Sequence, residues 1–275
     1  MSTTDIHPTA VIDPRAEIEP DVEIGPYAVI EGAVHIGRGV KVWPHAYLSA
    51  PLEIGEESQV HIGAILGHQH QALREPQAGG VRIGKRTIVR EYATVHRASQ
   101  AGAWTSIGSD CLLMGFSHVA HDCAVGNRVI LANGALVAGH VTIEDKAILS
   151  GHVAVHQFVR IGALAMIGGL ARVNKDVPPY FLVKGDSEVW AVNAVGLKRA
   201  GISEQGRMAI REAYRLLYRS GLNTTQALKA LQAMKSSSPE VGHLIRFVQE
   251  SRRGICRHHL RVPEDILDTD EEDVL

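Results

Sequence analysis

The sequence predicts a mainly β fold, a parallel solenoid of short strands followed by a helical C-terminal segment, and three observations predict it. An aliphatic residue recurs at every sixth position from Ile6 to Leu66, through Ile12, Ile18, Ile24, Ile30, Ile36, Val42, Leu48, Ile54 and Val60. The fourth position after each is small or β-branched in nearly every case, as at Ala10, Ala16, Val22 and Ala28. Large rings are scarce, 5% of residues, against 27 glycines in 275, so the core is not built on aromatic side chains. A six-residue step fits neither the 3.6 period of a helix nor plain alternation; it fits short strands joined by turns, three to a coil and stacked.

The repeat is interrupted after residue 67, resumes at Ile83, Val89 and Val95, passes Ala101, and continues from Ile107 to Val173. At about eighteen residues per coil, residues 6–67 and 83–178 make roughly nine coils. Glycine follows many of the aliphatic positions, as in Ile24-Gly25, Ile54-Gly55 and Val125-Gly126, and supplies turn conformations. Two segments break the pattern, 68–80 (HQHQALREPQAGG) and 98–105 (ASQAGAWT), and are expected as protruding loops, where binding residues gather. The expected organisation is a solenoid over 1–180, a helical part over 181–262 and an acidic flexible tail over 263–275. Within the helical part, 203–220 reads as a helix, with Ser203 as its start, an apolar set of Met208, Ile210, Ala213, Leu216 and Leu217, and Gly221 beyond its end. Two more helices are expected at 224–235 and 239–252.

Composition excludes several classes. With 45% hydrophobic and 21% charged residues the chain is of ordinary globular type, not disordered. Its longest uncharged stretch, 129–143, is too short and too polar to span a bilayer, and the first twenty residues lack the charged and apolar pattern of a signal peptide. Cys111, Cys123 and Cys256 form neither an even set nor a CxxC site, as expected of a cytoplasmic protein. The formal net charge of -2 conceals a segregation: between Lys184 and Arg261 there are 14 basic and 6 acidic residues, a surplus that points to an acidic partner. Nucleic acid is disfavoured, since the segment has no nucleic-acid-binding motif and few aromatics for stacking.

The chemistry-bearing residues are histidines. Six of the 15 lie between 96 and 156, namely His96, His118, His121, His140, His152 and His156, and none falls on an inward position of the repeat. They are therefore expected at an outer groove. His140 follows His121 by 19 positions and Gln157 follows it by 36, so coils of about eighteen residues set them on successive rungs about 4.8 Å apart. Imidazole, with an ordinary pKa of about 6.5, can take a hydroxyl proton at neutral pH, and Asp122 beside His121 could orient it.

The repeat resembles that of the hexapeptide-repeat acyltransferases, a resemblance that implies a left-handed parallel β-helix and a homotrimer. The strings His118-Val119-Ala120-His121-Asp122-Cys123, Val125-Gly126-Asn127-Arg128, Ala138-Gly139-His140, Ala154-Val155-His156-Gln157-Phe158, Asp176-Val177-Pro178-Pro179-Tyr180 and Gly196-Leu197-Lys198-Arg199 are more specific. They resemble the UDP-N-acetylglucosamine 3-O-acyltransferase family that begins lipid A biosynthesis, over residues 6 to 254. By that resemblance His121 is the general base on the sugar hydroxyl, Asp122 supports it, and the Gly139 amide stabilises the oxyanion. His118, His140, His156 and Gln157 line the sugar and pantetheine cleft, with His96 close by. Gly169 floors the acyl groove, and Asn193, Lys198 and Arg199 contact nucleotide and phosphate. The donor is a 3-hydroxyacyl chain on acyl carrier protein, a small acidic partner for the basic segment; it brings its own phosphopantetheine, so neither cofactor nor metal is expected.

The chain departs from the family in its first loop, where an acid and a lysine are replaced by Ala72 and Arg74, and near the nucleotide, where Val195 replaces an acid and Ala200 an arginine. These changes leave open a different nucleotide sugar as acceptor. A coenzyme A-dependent acyltransferase, a gamma-type zinc carbonic anhydrase and a nonenzymatic assembly solenoid are rival functions for the same repeat.

Overall fold

The computed structural model describes residues 4–71, 79–233 and 238–259. Within them the chain winds through three parallel sheets in strict rotation: each strand of the solenoid pairs with the one three places later in sequence. The first sheet begins at Asp5–Ile6, the second at Val11–Ile12 and the third at Glu17–Ile18. The second sheet holds nine strands, which matches the expected nine coils.

Register explains the six-residue pattern. In the first sheet Ile24 pairs with Val42, Val42 with Val60, Leu113 with Leu131 and Leu131 with Leu149, so identical positions of successive coils stack into one inward column. These side chains are buried to within a few per cent, and so are the small residues between them, such as Val22, Ala28, Ala135 and Ala147. Each inward residue packs on the coil above and below at the strand spacing, which is why aliphatic residues without rings suffice. Among the described residues nothing packs beneath the first coil, and Ile6 is 42% exposed there.

The two insertions lengthen single coils. Val60 pairs with Val89 and Val89 with Leu113, so the eighteen-residue step becomes 29 and then 24. Both loops are shorter than expected: Ile65–His68 and Gly80–Ile83 are strands, and so is Trp104–Ile107, which takes Trp104 and Thr105 out of the second loop.

The C-terminal part also differs from an all-helical reading. It opens with strand Phe181–Lys184, which continues the first sheet, turns into the antiparallel strand Glu188–Val192, and returns at the end as Arg257–His258 beside it. Between these lie α1 (Ala194–Arg199), α2 (Glu204–Tyr218), α3 (Thr224–Ala233) and α4 (Pro239–Gln249). Ser203 caps α2 as expected, its side chain accepting the Gly206 N–H at 3.1 Å. Ile210, Ala213 and Leu217 are its buried face, but Met208 is 59% exposed and belongs to the opposite one. On α4, Val241, Leu244, Phe247 and Val248 are buried, and His243 bridges to the solenoid: Nδ1 shares a hydrogen bond of 2.8 Å with the Tyr180 hydroxyl, and Nε2 lies 3.0 Å from Glu144. The acidic tail at 263–275 lies outside the described residues, as does 72–78 of the first insertion. Among the described residues no helix is long and apolar enough to cross a membrane.

Candidate active site

Three successive coils, after strands ending at Val119, Val137 and Val155, turn from the second sheet to the third through a two-residue corner whose second residue has a left-handed backbone. These corners carry the pairs His121-Asp122, Gly139-His140 and Gln157-Phe158, with φ of 58° at Asp122, 60° at His140 and 64° at Phe158. The stacking of coils thus gathers residues 36 positions apart onto one edge of the prism, as the spacing predicts.

His121 and Asp122 form the centre. Nδ1 of His121 lies 2.7 Å from Oδ2 of Asp122, and Nε2 of His140 lies 3.6 Å from the same oxygen. In the neutral ring this bond places the proton on Nδ1 and leaves the Nε2 lone pair for a substrate. Asp122 is partly buried, which opposes its charge, but hydrogen bonds from Ser99 and His121 outweigh that and hold its carboxyl below the usual range. The His121 ring meets His140 edge-on at 5.1 Å and His70 at 5.3 Å, while His140 stacks flat on Phe158 at 4.6 Å.

Gly139 closes the other side of the His121 ring. A side-chain carbon built on it would stand 2.7 Å from Cε1 and 2.8 Å from Nε2 of His121, so only a residue without one fits. Among the described residues its amide N–H donates to no backbone carbonyl, unlike that of His140, which bonds the His121 carbonyl at 3.0 Å.

His118 stands on the adjoining strand, its Nδ1 2.7 Å from the Thr94 hydroxyl, and burial together with the nearby His121 lowers its pKa. His96, expected on the surface, is instead covered by its neighbours. It is only 7% exposed, packs edge-on against His118 at 4.7 Å, and burial with the neighbouring histidines holds its pKa down to about 4. His156 and Gln157 are exposed; Nη2 of Arg253, from beyond α4, reaches to 3.4 Å of His156 Nδ1. His152 belongs to a different corner, between the first and second sheets, where its ring covers Gly134.

The other expected site residues are not brought to this edge within one chain. Gly169 sits between strands Met166–Ile167 of the first sheet and Arg172–Val173 of the second, beside Leu170, which is 81% exposed. Asn193 is buried and caps α1, its Oδ1 accepting the Gly196 N–H at 3.0 Å and its Nδ2 donating to the Leu164 carbonyl at 2.8 Å. Both ends of that amide are thus engaged inside the protein. Lys198 and Arg199 are exposed in the last turn of α1. Arg74 and Ala72 lie outside the described residues. Residues that the sequence does not single out are Thr94, Ser99, Thr105 and Arg253; each makes a contact between coils, across an insertion or between domains, which no local motif signals.

His121, Asp122 and His140 offer ligand atoms within 4.8 Å of one another, a set compact enough for a cation. Two of the three are joined directly to each other by the 2.7 Å hydrogen bond between His121 and Asp122.

Comparisons with known proteins agree with this architecture. Residues 176–256 match the family model described as UDP N-acetylglucosamine O-acyltransferase, domain 2, and residues 15–50 and 105–139 match that of the bacterial transferase hexapeptide (six repeats). An acyl-(acyl-carrier-protein)–UDP-N-acetylglucosamine O-acyltransferase of Burkholderia lata is 41% identical over 92% of this chain and 100% of its own, and one of Gloeothece citriformis is 45% identical over 72% of each. Among solved structures, the UDP-N-acetylglucosamine acyltransferase of Francisella novicida superposes with a TM-score of 0.89 at 35% identity, over 92% of this chain and 94% of that one. The Arabidopsis UDP-N-acetylglucosamine acyltransferase gives 0.81 at 34%, over 92% and 100%. With relatives this similar over nearly its whole length, the chain belongs to the UDP-N-acetylglucosamine O-acyltransferase family of hexapeptide-repeat transferases.

Proposed function

We propose that this protein transfers a 3-hydroxyacyl chain from acyl carrier protein to the 3-hydroxyl of UDP-N-acetylglucosamine, the early step of lipid A biosynthesis, with His121 as general base. The observation that supports this reading is the setting of the His121 ring: the Asp122 carboxylate lies 2.7 Å from its Nδ1, and a side-chain carbon on Gly139 would stand 2.8 Å from its Nε2. Nε2 takes the sugar hydroxyl proton as the oxygen attacks the thioester carbon. The tetrahedral oxyanion receives the Gly139 N–H, a donor of a kind worth about 3 kcal/mol in comparable sites. Collapse breaks the carbon–sulfur bond, and the departing thiolate recovers the proton from the His121 imidazolium. Asp122, charged throughout the neutral range, stabilises that imidazolium. His96, held neutral, contributes polar surface without adding a cation.

The active unit is a homotrimer in this reading. Gly169, expected at the acyl chain, and the His121 corner lie on different edges of one prism, so a second copy is needed to bring such groups together. Exposed apolar side chains on the solenoid surface are suited to that contact, among them Phe116 at 64% and Tyr92 at 53% on one edge and Leu136 at 49% on the outer face of the second sheet. The carrier protein docks on the exposed face of α2, where Met208 is followed by Arg211 and Arg215 at helical spacing; Glu212 already holds Arg215 at 2.6 Å, so Arg211 carries more of the attraction. The setting is the cytoplasm, which suits three buried, unpaired cysteines.

The test is a comparison of His121→Ala with the parent protein, using a 3-hydroxyacyl carrier protein and a panel of nucleotide sugars, with products read by mass spectrometry. Loss of at least about a hundredfold in kcat, with an unchanged melting temperature and unchanged trimer mass, is expected. Normal turnover by the folded variant removes His121 from its role, and an active monomer refutes the shared cleft.

A further inference from the structure

At most corners of this solenoid the residue with the left-handed backbone donates its amide to a backbone carbonyl one coil below. His140 N–H bonds the His121 carbonyl at 3.0 Å, Phe158 N–H the Gly139 carbonyl at 3.1 Å, Arg128 N–H the Ser109 carbonyl at 2.8 Å and Lys146 N–H the Asn127 carbonyl at 2.9 Å. Asp122 departs from this, as does Tyr27, whose N–H goes to the Thr9 hydroxyl at 3.2 Å. The coil below Asp122 carries the second insertion, no backbone carbonyl among the described residues takes its amide, and the N–H goes instead to the Thr105 hydroxyl oxygen at 2.8 Å. Thr105 is wholly buried in strand Trp104–Ile107 and paired with Val81. The same insertion then returns over the corner: the Ser99 N–H donates to Oδ1 of Asp122 at 3.1 Å, which leaves Oδ2 to His121 at 2.7 Å.

We propose that Thr105 is a positioning residue of the acyl transfer reaction, acting with the Ser99 amide to hold the Asp122 carboxylate on His121. The hydroxyl replaces a carbonyl that the insertion has displaced, and it fixes the backbone of Asp122; Ser99 fixes one carboxylate oxygen. Oδ2 is thereby held in a single direction, toward Nδ1, which in turn sets where Nε2 points. The second insertion is therefore part of the catalytic apparatus through what it does to Asp122 and makes no contact with substrate in this role. This inference rests on the assignment of His121 and Asp122 given above.

Thr105→Val, close in shape but unable to accept the amide, should lower kcat by roughly ten- to a hundredfold, since misplacement of a reacting group by about 1 Å costs on that scale. KM for both substrates should stay within about twofold, because no ground-state contact is removed. Thr105→Ser, which keeps the hydroxyl, should restore most of the activity. Ser99→Pro, which deletes the amide that holds Oδ1 and leaves the strand alone, should lower kcat in the same manner, and it serves as the readout if Thr105→Val folds poorly. The decisive arm is a double-mutant cycle: added to Asp122→Ala, Thr105→Val should cause no further loss, as expected of groups acting through one another. A folded Thr105→Val with parental kcat beside a crippled Asp122→Ala overturns the assignment of Thr105 and leaves the dyad standing. An equal loss in both backgrounds overturns it as well, by showing a general structural effect. If Asp122→Ala itself turns over normally, the dyad falls and this inference with it.

Discussion

Adding one methyl group at Gly139 isolates the position of the His121 ring from every other property of the site. On the observed backbone the new carbon would stand 2.7 Å from Cε1 and 2.8 Å from Nε2 of His121, where ordinary contacts begin near 3.4 Å. The imidazole must therefore retreat by at least about 0.6 Å. It has little room to do so, because Asp122 holds Nδ1 at 2.7 Å while His140 and His70 press on the ring at 5.1 and 5.3 Å between centroids. Gly139 is not among the residues with a left-handed backbone, so alanine adds no backbone strain, and its N–H is retained. Displacement on this scale should reduce kcat by roughly ten- to a hundredfold. Overpacking costs about 1–3 kcal/mol, so Tm should fall by only a few degrees. The assay is steady-state kcat and KM with acylated carrier protein and UDP-N-acetylglucosamine, beside a thermal melt. A folded Gly139→Ala protein with kcat within about twofold of the parent would show that the contact between Gly139 and His121 does not govern catalysis.

Reversal of Arg211 and Arg215 to Glu should raise KM for carrier-linked donor through slower association while sparing acyl-pantetheine; raising the salt concentration should mimic it in the parent protein, and equal losses with both donors would remove the docking role. The folded protein holds His96 at a pKa of about 4, below its ordinary value, so the unfolded chain binds the proton first: stability should fall as pH drops from about 6.5 toward 4, seen as a declining Tm, and His96→Gln should flatten that decline. Ala72→Asp should improve kcat/KM for UDP-N-acetylglucosamine by up to about tenfold if one hydrogen bond of about 1 kcal/mol is missing there, and an unchanged preference for that sugar would show that the departure is compensated elsewhere.

The solenoid is legible because one physical requirement repeats. Every coil must fill the same inward slots, so the columns through Ile24, Val42 and Val60 and through Leu113, Leu131 and Leu149 write themselves into the sequence at a fixed period. The phase even survives the second insertion, whose coil steps by 24 residues rather than eighteen and so gains one full six-residue unit. It fails across the first, where the step of 29 is not a multiple of six. Where the requirement stops repeating, legibility stops. The strands Phe181–Lys184 and Glu188–Val192 carry no six-residue rhythm, and α1, six residues long, is shorter than the window in which helical periodicity can be read. Met208 looks apolar enough for the buried face of α2, but it stands two positions from Ile210, a spacing that does not share a helix face.

The candidate site divides along the same line. His121 and Asp122 are neighbours in sequence, and His140, Gln157 and Gly139 follow from the period, so the dyad and its corner can be read directly. His96 obeys the repeat as an outward position but is buried, because the strand ending at His68 pairs beside it and its ring packs on His118. A repeat specifies what its coils have in common, whereas catalysis needs one coil unlike the others. That difference arises at the insertion, where the shared carbonyl at the corner is lost and Thr105 and Ser99 take hold of Asp122. The periodic part of the sequence thus determines where an active site can stand, and the aperiodic part determines which corner holds its carboxylate in a working position.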